Sequence, residues 1–406
     1  MNRIVKIFMP LVILALVMST GCSMVQLNTE RDAKIVVATV KDEVVTKEEW
    51  QQLYNYQKQS NNITEEDEKD YHKREAIKAL KENCLNSLVL RKLEIIRAKE
   101  LGLDQFTAEE QAAIDADYQA QVDYYVTNQQ SYNPKAEDES DEEYEERLKE
   151  ITDRFIEANA EVFSKVKNEI VENALIQKLM DHETKDVTVA DSDVVLAYNA
   201  NLSAAKENYA EAPNNWEAAM RDGSIVYFNP DNSRRVKSIL IALPDDTQAQ
   251  IRTLRTDNRA ADADALLEEA LKIIEEKANE ILQKAKNGDD YDALMQEHSD
   301  DPGKTSDPDG YYVAGEGTST WVTPYAEAAR KLEKVGDITS ELVASDYGYF
   351  VIKLEELTPD GDVAYEDVKD ALKEERLVEA KNAAFAELES QWPVEYKVKK
   401  YLNRCK

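Results

Sequence analysis

The sequence predicts an α+β protein in which a mostly helical domain, built from the N- and C-terminal segments, contains an inserted α/β domain. Apolar residues recur at helical spacing along much of the N-terminal half, as in residues 76–101. From Arg235 the pattern changes to strand, helix, helix, loop, helix and strand within about 120 residues, the size of one domain. A last alternating stretch, Val394–Leu402, needs a partner because a lone strand is unstable.

The amino terminus has the pattern of an export signal. Two basic residues precede the apolar run Ile7–Met18, which is too short to span a bilayer as a stable helix. Three small residues then lead to Cys22, a pattern that resembles the lipobox of bacterial lipoproteins. We expect residues 1–21 to be a signal peptide and residues 22–33 a tether lipidated at Cys22. An ordinary signal peptide followed by an incidental cysteine is the alternative.

The helical domain is expected to begin with a β-hairpin whose turn is Lys41–Glu43. Thr46 and Glu49 have the spacing of a capping box and open the first of several helices. A stretch rich in Pro, Asn and Asp ends at residue 232 and indicates a domain boundary. If the C-terminal strand pairs with the hairpin, residues 34–232 and 358–406 form one domain, and residues 233–357 are inserted into it.

Charge and composition exclude several classes of function. The chain has 50 Lys and Arg against 82 Asp and Glu, a formal net charge of −32. A field of that sign repels phosphates, so we expect no nucleic-acid partner. The 3 His and 3 Cys never occur at metal-ligand spacing, so we expect no metal site and no cofactor.

Short motifs in the inserted segment occur in the order found in one enzyme family. They are Val236-x-x-Ile239-Leu240, Gly288-x-x-Tyr291-x-x-Leu294, Ser299-Asp300-Asp301-Pro302, Trp321-Val-Thr-Pro324-Tyr325, Gly336-Asp337-Ile338-Thr339 and Tyr347-Gly348-Tyr349-Phe350-Val351-Ile352-Lys353-Leu354. On these motifs, Arg235–Leu357 resembles a parvulin-type peptidyl-prolyl isomerase domain of the PpiC or rotamase class. The flanking segments resemble, more loosely, extracytoplasmic foldase lipoproteins of the PrsA and SurA kind.

The resemblance implies a polar centre that is incomplete in this chain. Parvulins set an Asp or Cys against two His and a Ser or Thr, and the matching positions here are Asp301, Ser238, Phe350 and Ser345. Both imidazoles are therefore absent. Asp301, Ser345 and Ser238 are the catalytic candidates, although Asp301 also suits a turn before a proline and Ser345 also suits a loop at the surface.

The same resemblance implies a pocket for the prolyl ring. Trp321, Tyr325, Tyr312 and Phe350 are the candidate lining residues, and packing in the core is the alternative role for these aromatic side chains. A dry pocket of this kind would favour the twisted amide over the planar one, without any nucleophile.

The sequence thus predicts a foldase that is anchored by lipid to the extracytoplasmic face of a bacterial membrane. Its expected partners are unfolded or partly folded secreted polypeptides and, through Cys22, the bilayer. Its expected reaction is the cis/trans isomerisation of X-Pro bonds. The alternative is a holdase chaperone whose degenerate parvulin domain binds without catalysis, as the missing histidines suggest.

Overall fold

The computed structural model describes residues 29–136 and 138–405. The predicted signal peptide and Cys22 lie outside these residues. The chain divides into two units. The first contains the residues up to Val187 together with Glu379–Lys406, and the second contains Thr188–Val378.

The first unit opens with a short helix and a hairpin, and long helices follow. In chain order its elements are α1 (Thr29–Ala33), β1 (Val36–Val40), β2 (Glu43–Thr46), α2 (Lys47–Ser60), α3 (Glu65–Lys69), α4 (Arg74–Glu100), α5 (Ala108–Ser131), α6 (Asp141–Ala158) and α7 (Ala160–Glu183). A 3-10 turn, Tyr71–Lys73, precedes α4.

The second unit mixes helices with short strands. Its elements are α8 (Asp191–Glu211), α9 (Asn214–Arg221), β3 (Phe228–Asn229), β4 (Arg234–Ala242), α10 (Asp245–Thr256), α11 (Ala260–Lys286), α12 (Tyr291–His298), α13 (Gly303–Ser306), β5 (Tyr311–Val313), α14 (Thr323–Arg330), β6 (Val343–Ser345), β7 (Gly348–Leu357) and β8 (Gly361–Asp362). The chain ends with α15 (Tyr365–Glu395), β9 (Lys399–Lys400) and a 3-10 turn, Leu402–Arg404.

In the first unit an antiparallel sheet has the strand order β2-β1-β9. The predicted pairing of the C-terminal strand with the hairpin is confirmed, because Ala38 pairs with Lys400. That strand is shorter than predicted. Helix α15 continues to Glu395, and its Trp392, which is 2% exposed, holds the end of the helix in the core.

The end of the predicted tether is helical. Thr29–Ala33 forms α1, and the Nζ atom of Lys47 lies 2.7 Å from Oδ2 of Asp32. Five of the residues assigned to the tether are therefore helical, and the folded part of the first unit begins before residue 34.

The core of the first unit is apolar and aromatic. Trp50 stacks on Tyr54 with ring centroids 5.2 Å apart, and both side chains are buried. Leucines of the long helices surround this pair, as the helical spacing predicted; they include Leu85, Leu93 and Leu179. No helix in residues 29–136 or 138–405 is both long and apolar enough to cross a membrane.

The central sheet of the second unit has the strand order β5-β4-β7-β6, and its strands are antiparallel. Side chains alternate between its two faces. On one face Val236 and Leu240 pack with α14, and on the other Ile239 and Ile241 pack with α11 and α12. The predicted α+β class is confirmed.

Residues 188–232 pack within the second unit, although the sequence analysis grouped them with the helical domain. The reason is Trp216 of α9, which is completely buried and meets the Tyr312 ring edge to face at 5.8 Å. A stretch rich in Pro and Asn resembles a linker in sequence, but here Trp216 fixes it against β5.

Candidate functional site

Four aromatic rings follow one another from the surface of the second unit into its core. The ring centroids are 4.3 Å apart for Tyr311 and Trp321, 5.7 Å for Trp321 and Tyr325, and 5.0 Å for Tyr325 and Phe350. Tyr325 and Phe350 are only 2% and 7% exposed, whereas Tyr311 and Trp321 are half-buried. The two inner rings are therefore core residues, and only the outer pair can contact another molecule in this arrangement.

The backbone brings these rings together in a simple way. Phe350 lies on β7 opposite Leu240 of β4, on the face that α14 covers. Pro324 lies in the first turn of α14, where proline is well tolerated, and the helix carries Tyr325 onto that face. The indole N–H of Trp321 donates a 2.7 Å hydrogen bond to the Tyr312 carbonyl, which fixes the ring at the edge of the sheet.

Asp301 lies beside the outer aromatic pair. The Tyr311 hydroxyl donates to its Oδ2 atom at 3.0 Å, and the Gly303 N–H donates to its Oδ1 atom at 2.9 Å. Burial, and then the nearby Asp301, raise the pKa of Tyr311 above its ordinary value. Both carboxylate oxygens of Asp301 therefore have partners within the protein. The structure supports the turn role of Asp301 and also places it next to the candidate pocket.

Gly303 makes this arrangement possible. A Cβ atom at Gly303 would lie 1.5 Å from the Tyr311 hydroxyl oxygen, so a larger residue would displace the ring from Asp301. The requirement is for space and not for an unusual φ angle.

Two hydroxyls lie buried beneath the aromatic rings. Neither Ser238 Oγ nor Tyr325 Oη has a hydrogen-bond partner among the described residues, although Ser238 is close enough to lower the pKa of Tyr325. Burial raises the pKa of Tyr325, and Ser238 opposes this rise. Ser238 therefore lies next to the aromatic cluster but is not exposed to a substrate.

Ser345 has a structural role in a turn. Its hydroxyl donates to the Gly348 carbonyl at 3.1 Å and accepts from the Tyr347 N–H at 3.1 Å, and the side chain is 5% exposed. The alternative role, a loop hydroxyl at the surface, does not fit this burial, because the β6–β7 turn uses both hydrogen-bonding functions of the hydroxyl.

Tyr312 faces away from the other candidate rings, since it packs on Trp216. Its neighbour Tyr311 takes the place expected for it. Adjacent residues of a strand point to opposite faces, and Tyr311 shares its face with Val313, a fully buried core residue. The sequence analysis missed Tyr311. Val313 could have indicated the role of Tyr311, because residues two positions apart on a strand lie on the same face.

A cavity of about 410 Å³ opens next to the outer aromatic pair. Its wall is formed by α9, the loop before β5 and the residues around Trp321. The lining residues are Glu217, Met220, Arg221, Arg235, Ser306, Asp307, Pro308, Asp309, Gly310, Tyr311, Tyr312, Thr320 and Trp321. In the part of the chain that the structure describes, no cluster of His, Cys, Asp and Glu could hold a metal ion.

Comparisons with known sequences cover both halves of the chain. Residues 239–356 match the family model of the PPIC-type PPIASE domain, and residues 1–151 match that of the SurA-like N-terminal domain. The chain combines a SurA-like N-terminal domain with a PPIC-type rotamase domain. The resemblance found in the sequence is thereby confirmed.

Relatives of full length carry the name foldase protein PrsA. The one from Clostridium botulinum is 24% identical over 94% of this chain and 93% of its own. The one from Caldanaerobacter subterraneus is 24% identical over 100% of this chain and 99% of its own. Foldase protein PrsA 4 of Bacillus cereus is 38% identical over 25% of this chain and 34% of its own.

Solved structures of similar proteins have low overall superposition scores. PrsA from Bacillus subtilis is 18% identical, covers 89% of this chain and 92% of its own, and has a TM-score of 0.27. A SurA-like chaperone from Campylobacter jejuni is 13% identical, with coverage of 90% and 97% and a TM-score of 0.33.

Proposed function

We propose that the protein is an extracytoplasmic foldase that binds unfolded secreted polypeptides. The PPIC-type domain and the relatives named as foldases support this class of function. The observation that carries the proposal is the half-buried pair Tyr311 and Trp321, which lines an open cavity above a rigid aromatic core. Such a surface offers an extended chain an apolar contact at low cost in conformational entropy.

The proposal includes a lipid anchor on Cys22 that holds the protein at the extracytoplasmic face of the bacterial membrane. It rests on the basic start, the short apolar run and the small residues before Cys22. Metabolic labelling with a fatty acid tests it. Wild-type protein should take up label and fractionate with membranes, and Cys22→Ala should do neither. Label on the Cys22→Ala protein would contradict the assignment.

A second candidate activity is the isomerisation of X-Pro bonds. It is favoured by the juxtaposition of Asp301 with Tyr311 and Trp321 inside a PPIC-type domain. The barrier of about 18–20 kcal/mol comes from amide resonance, so a pocket that prefers the twisted amide accelerates the reaction. For this activity we propose Asp301 as the polar group and Trp321, together with Tyr311, as the contact for the prolyl ring. Ser238, Tyr325 and Phe350 support this pair from the core, whereas Tyr312 and Ser345 have structural roles.

The arrangement favours binding over catalysis. Asp301 and Ser345 are already hydrogen-bonded within the chain, and Ser238 is buried under aromatic rings. No imidazole occupies either position at which the family has histidine; Ser238 and Phe350 stand there. The alternative proposal is therefore a holdase that binds unfolded clients without catalysing isomerisation.

Suppression of client aggregation tests the foldase proposal. An unfolded client is diluted from denaturant with and without the full chain, and light scattering is followed. Wild-type protein should suppress scattering and Trp321→Ala should suppress it less, because the outer aromatic surface is lost. Tyr347→Ala is the matched control, since Tyr347 is also an exposed aromatic residue of the second unit, 43% exposed. No suppression by wild-type protein would overturn the proposal.

A cis/trans assay on a proline peptide separates the enzyme from the holdase. Rate enhancement that Asp301→Ala and Trp321→Ala both reduce supports isomerase activity. Aggregation suppression without any rate enhancement, at every protein concentration, identifies the holdase. Thermal unfolding followed by circular dichroism must show that each variant remains folded.

A further inference from the structure

We propose that the cavity between α9 and the loop of residues 306–312 binds a lysine or arginine side chain of the client, next to an apolar residue. This inference rests on the proposed function and specifies the client segment that it recognises. One wall of the cavity, Asn214–Arg221, lies outside residues 239–356, which match the PPIC-type domain. The candidate site therefore extends beyond the residues that match the PPIC-type domain.

The wall contributed by α9 is held firmly in place. Glu217 is 3% exposed and accepts hydrogen bonds from Ala314 N at 2.9 Å, Ser319 Oγ at 2.7 Å and Thr320 N at 2.6 Å. Ser319 Oγ in turn accepts from the Trp321 N–H at 3.2 Å. The loop that carries Trp321 is therefore fixed to α9, and the cavity is formed before any client arrives. Preformed sites lose less entropy on binding.

The lining of the cavity includes apolar surface. Tyr311, Trp321 and Met220 are among the lining residues, and the Trp321 indole donates its N–H to the Tyr312 carbonyl. The indole therefore has no free donor to offer to a ligand. Long basic side chains suit such a lining, because their methylene stems pack on apolar surface and their charged heads interact with aromatic faces.

The positive charges at the cavity already have partners. Arg235 donates to Glu356 Oε2 at 2.9 Å and to the Asp309 carbonyl at 2.7 Å. Arg221 forms an ion pair of 3.0 Å with Asp222. The charge of each guanidinium is therefore at least partly balanced by a neighbouring carboxylate.

The carboxylates of Asp307 and Asp309, which also line the cavity, have no such partner. No basic side chain of the described residues lies within 4.0 Å of the carboxylate of Asp307 or Asp309. Asp307 accepts only the Ser306 hydroxyl, at 2.7 Å, although it adds to the effect of Asp222 in raising the pKa of Arg221. The local field therefore favours a cation, and the net charge of −32 steers cations toward the protein.

Fluorescence anisotropy with the full chain tests the inference. The probe is a short labelled peptide with Lys-Phe-Pro-Lys in a Gly-Ser background, and the reference peptide has Glu in place of each Lys. Asp307→Asn/Asp309→Asn should weaken binding of the Lys peptide about fivefold, as expected for two partly exposed ion pairs. Arg221→Ala should strengthen it about twofold by removing a competing cation, a gain that a damaged fold would not produce.

The control is Glu276→Gln/Asp289→Asn, which removes two exposed carboxylates from the same unit away from the cavity. It should leave the affinity within about twofold of wild type. Equal weakening by both double variants would show general charge attraction and would overturn the inference, with the foldase proposal intact. Failure of wild-type protein to bind either peptide would overturn the foldase proposal as well.

Discussion

The Tyr311 hydroxyl lies 3.0 Å from Oδ2 of Asp301 and donates a hydrogen bond to it. The ring of Tyr311 also packs on Trp321, with the ring centroids 4.3 Å apart. Asp301 is half-buried, and this hydrogen bond joins it to the outer aromatic pair that we propose as the client contact.

Replacing Tyr311 should separate the role of its ring from that of its hydroxyl. Tyr311→Ala removes one ring of the outer aromatic pair, so we expect weaker client binding and slower X-Pro isomerisation than in wild-type protein. Tyr311→Phe keeps the ring and removes only the hydrogen bond, so the rate should stay near that of wild type and the stability should fall by about 1 kcal/mol. The peptide isomerisation assay and denaturant unfolding measure the two effects. An unchanged rate and affinity in Tyr311→Ala would mean that the ring does not contact the substrate.

Removing the Tyr325 hydroxyl should stabilise the protein. The hydroxyl is buried and has no hydrogen-bond partner among the described residues, so Tyr325→Phe should raise the free energy of unfolding by about 1 kcal/mol. Tyr291→Phe is the matched control, because the Tyr291 hydroxyl donates to the Val351 carbonyl at 2.8 Å; that variant should lose about 1 kcal/mol. Urea unfolding gives both values. Destabilisation by Tyr325→Phe would indicate a real bond to Ser238.

Loss of the Glu217 side chain should release the loop before Trp321. Glu217→Ala leaves Ala314 N, Ser319 Oγ and Thr320 N without their acceptor, so we expect a loss of about 3 kcal/mol. Weaker client binding should accompany this loss. Glu207→Ala, at an exposed position of α8, should change the stability by less than about 0.5 kcal/mol. Equal stability of the two variants in urea would contradict the role of Glu217.

A buried acid should make the first unit less stable at high pH. Burial, and then Glu389, raise the pKa of Glu94 from 4.5 to about 8, while Arg91 opposes this rise. The folded protein keeps a proton that the unfolded chain loses, so the free energy of unfolding falls from about pH 4.5 to about pH 8 and then levels off.

Glu94→Gln should remove this part of the pH dependence. Melting curves from about pH 5 to about pH 9 should show wild-type protein losing more stability than the variant as the pH rises. Glu48→Gln, at an exposed position of the same unit, controls for the change in net charge. Parallel curves for wild type and Glu94→Gln would rule out Glu94 as the cause.

Short motifs and the spacing of apolar residues were enough to predict much of the fold of this protein. The order of short motifs identified the PPIC-type domain, and the need of a lone strand for a partner predicted the pairing of Ala38 with Lys400. The spacing of apolar residues predicted the long helices. These features are local, or they follow from rules that apply to every chain.

Other features were decided only by tertiary contacts. Tyr311 and Tyr312 are adjacent residues of the same type, so the sequence does not distinguish them. The pairing of β5 with β4 decides which of the two rings packs on Trp321. The sequence also could not show that Glu217 would bond a loop about a hundred positions later. Periodicity states which residues share a face of one element. Which other element covers that face depends on contacts between distant parts of the chain, and these form only when the whole unit packs.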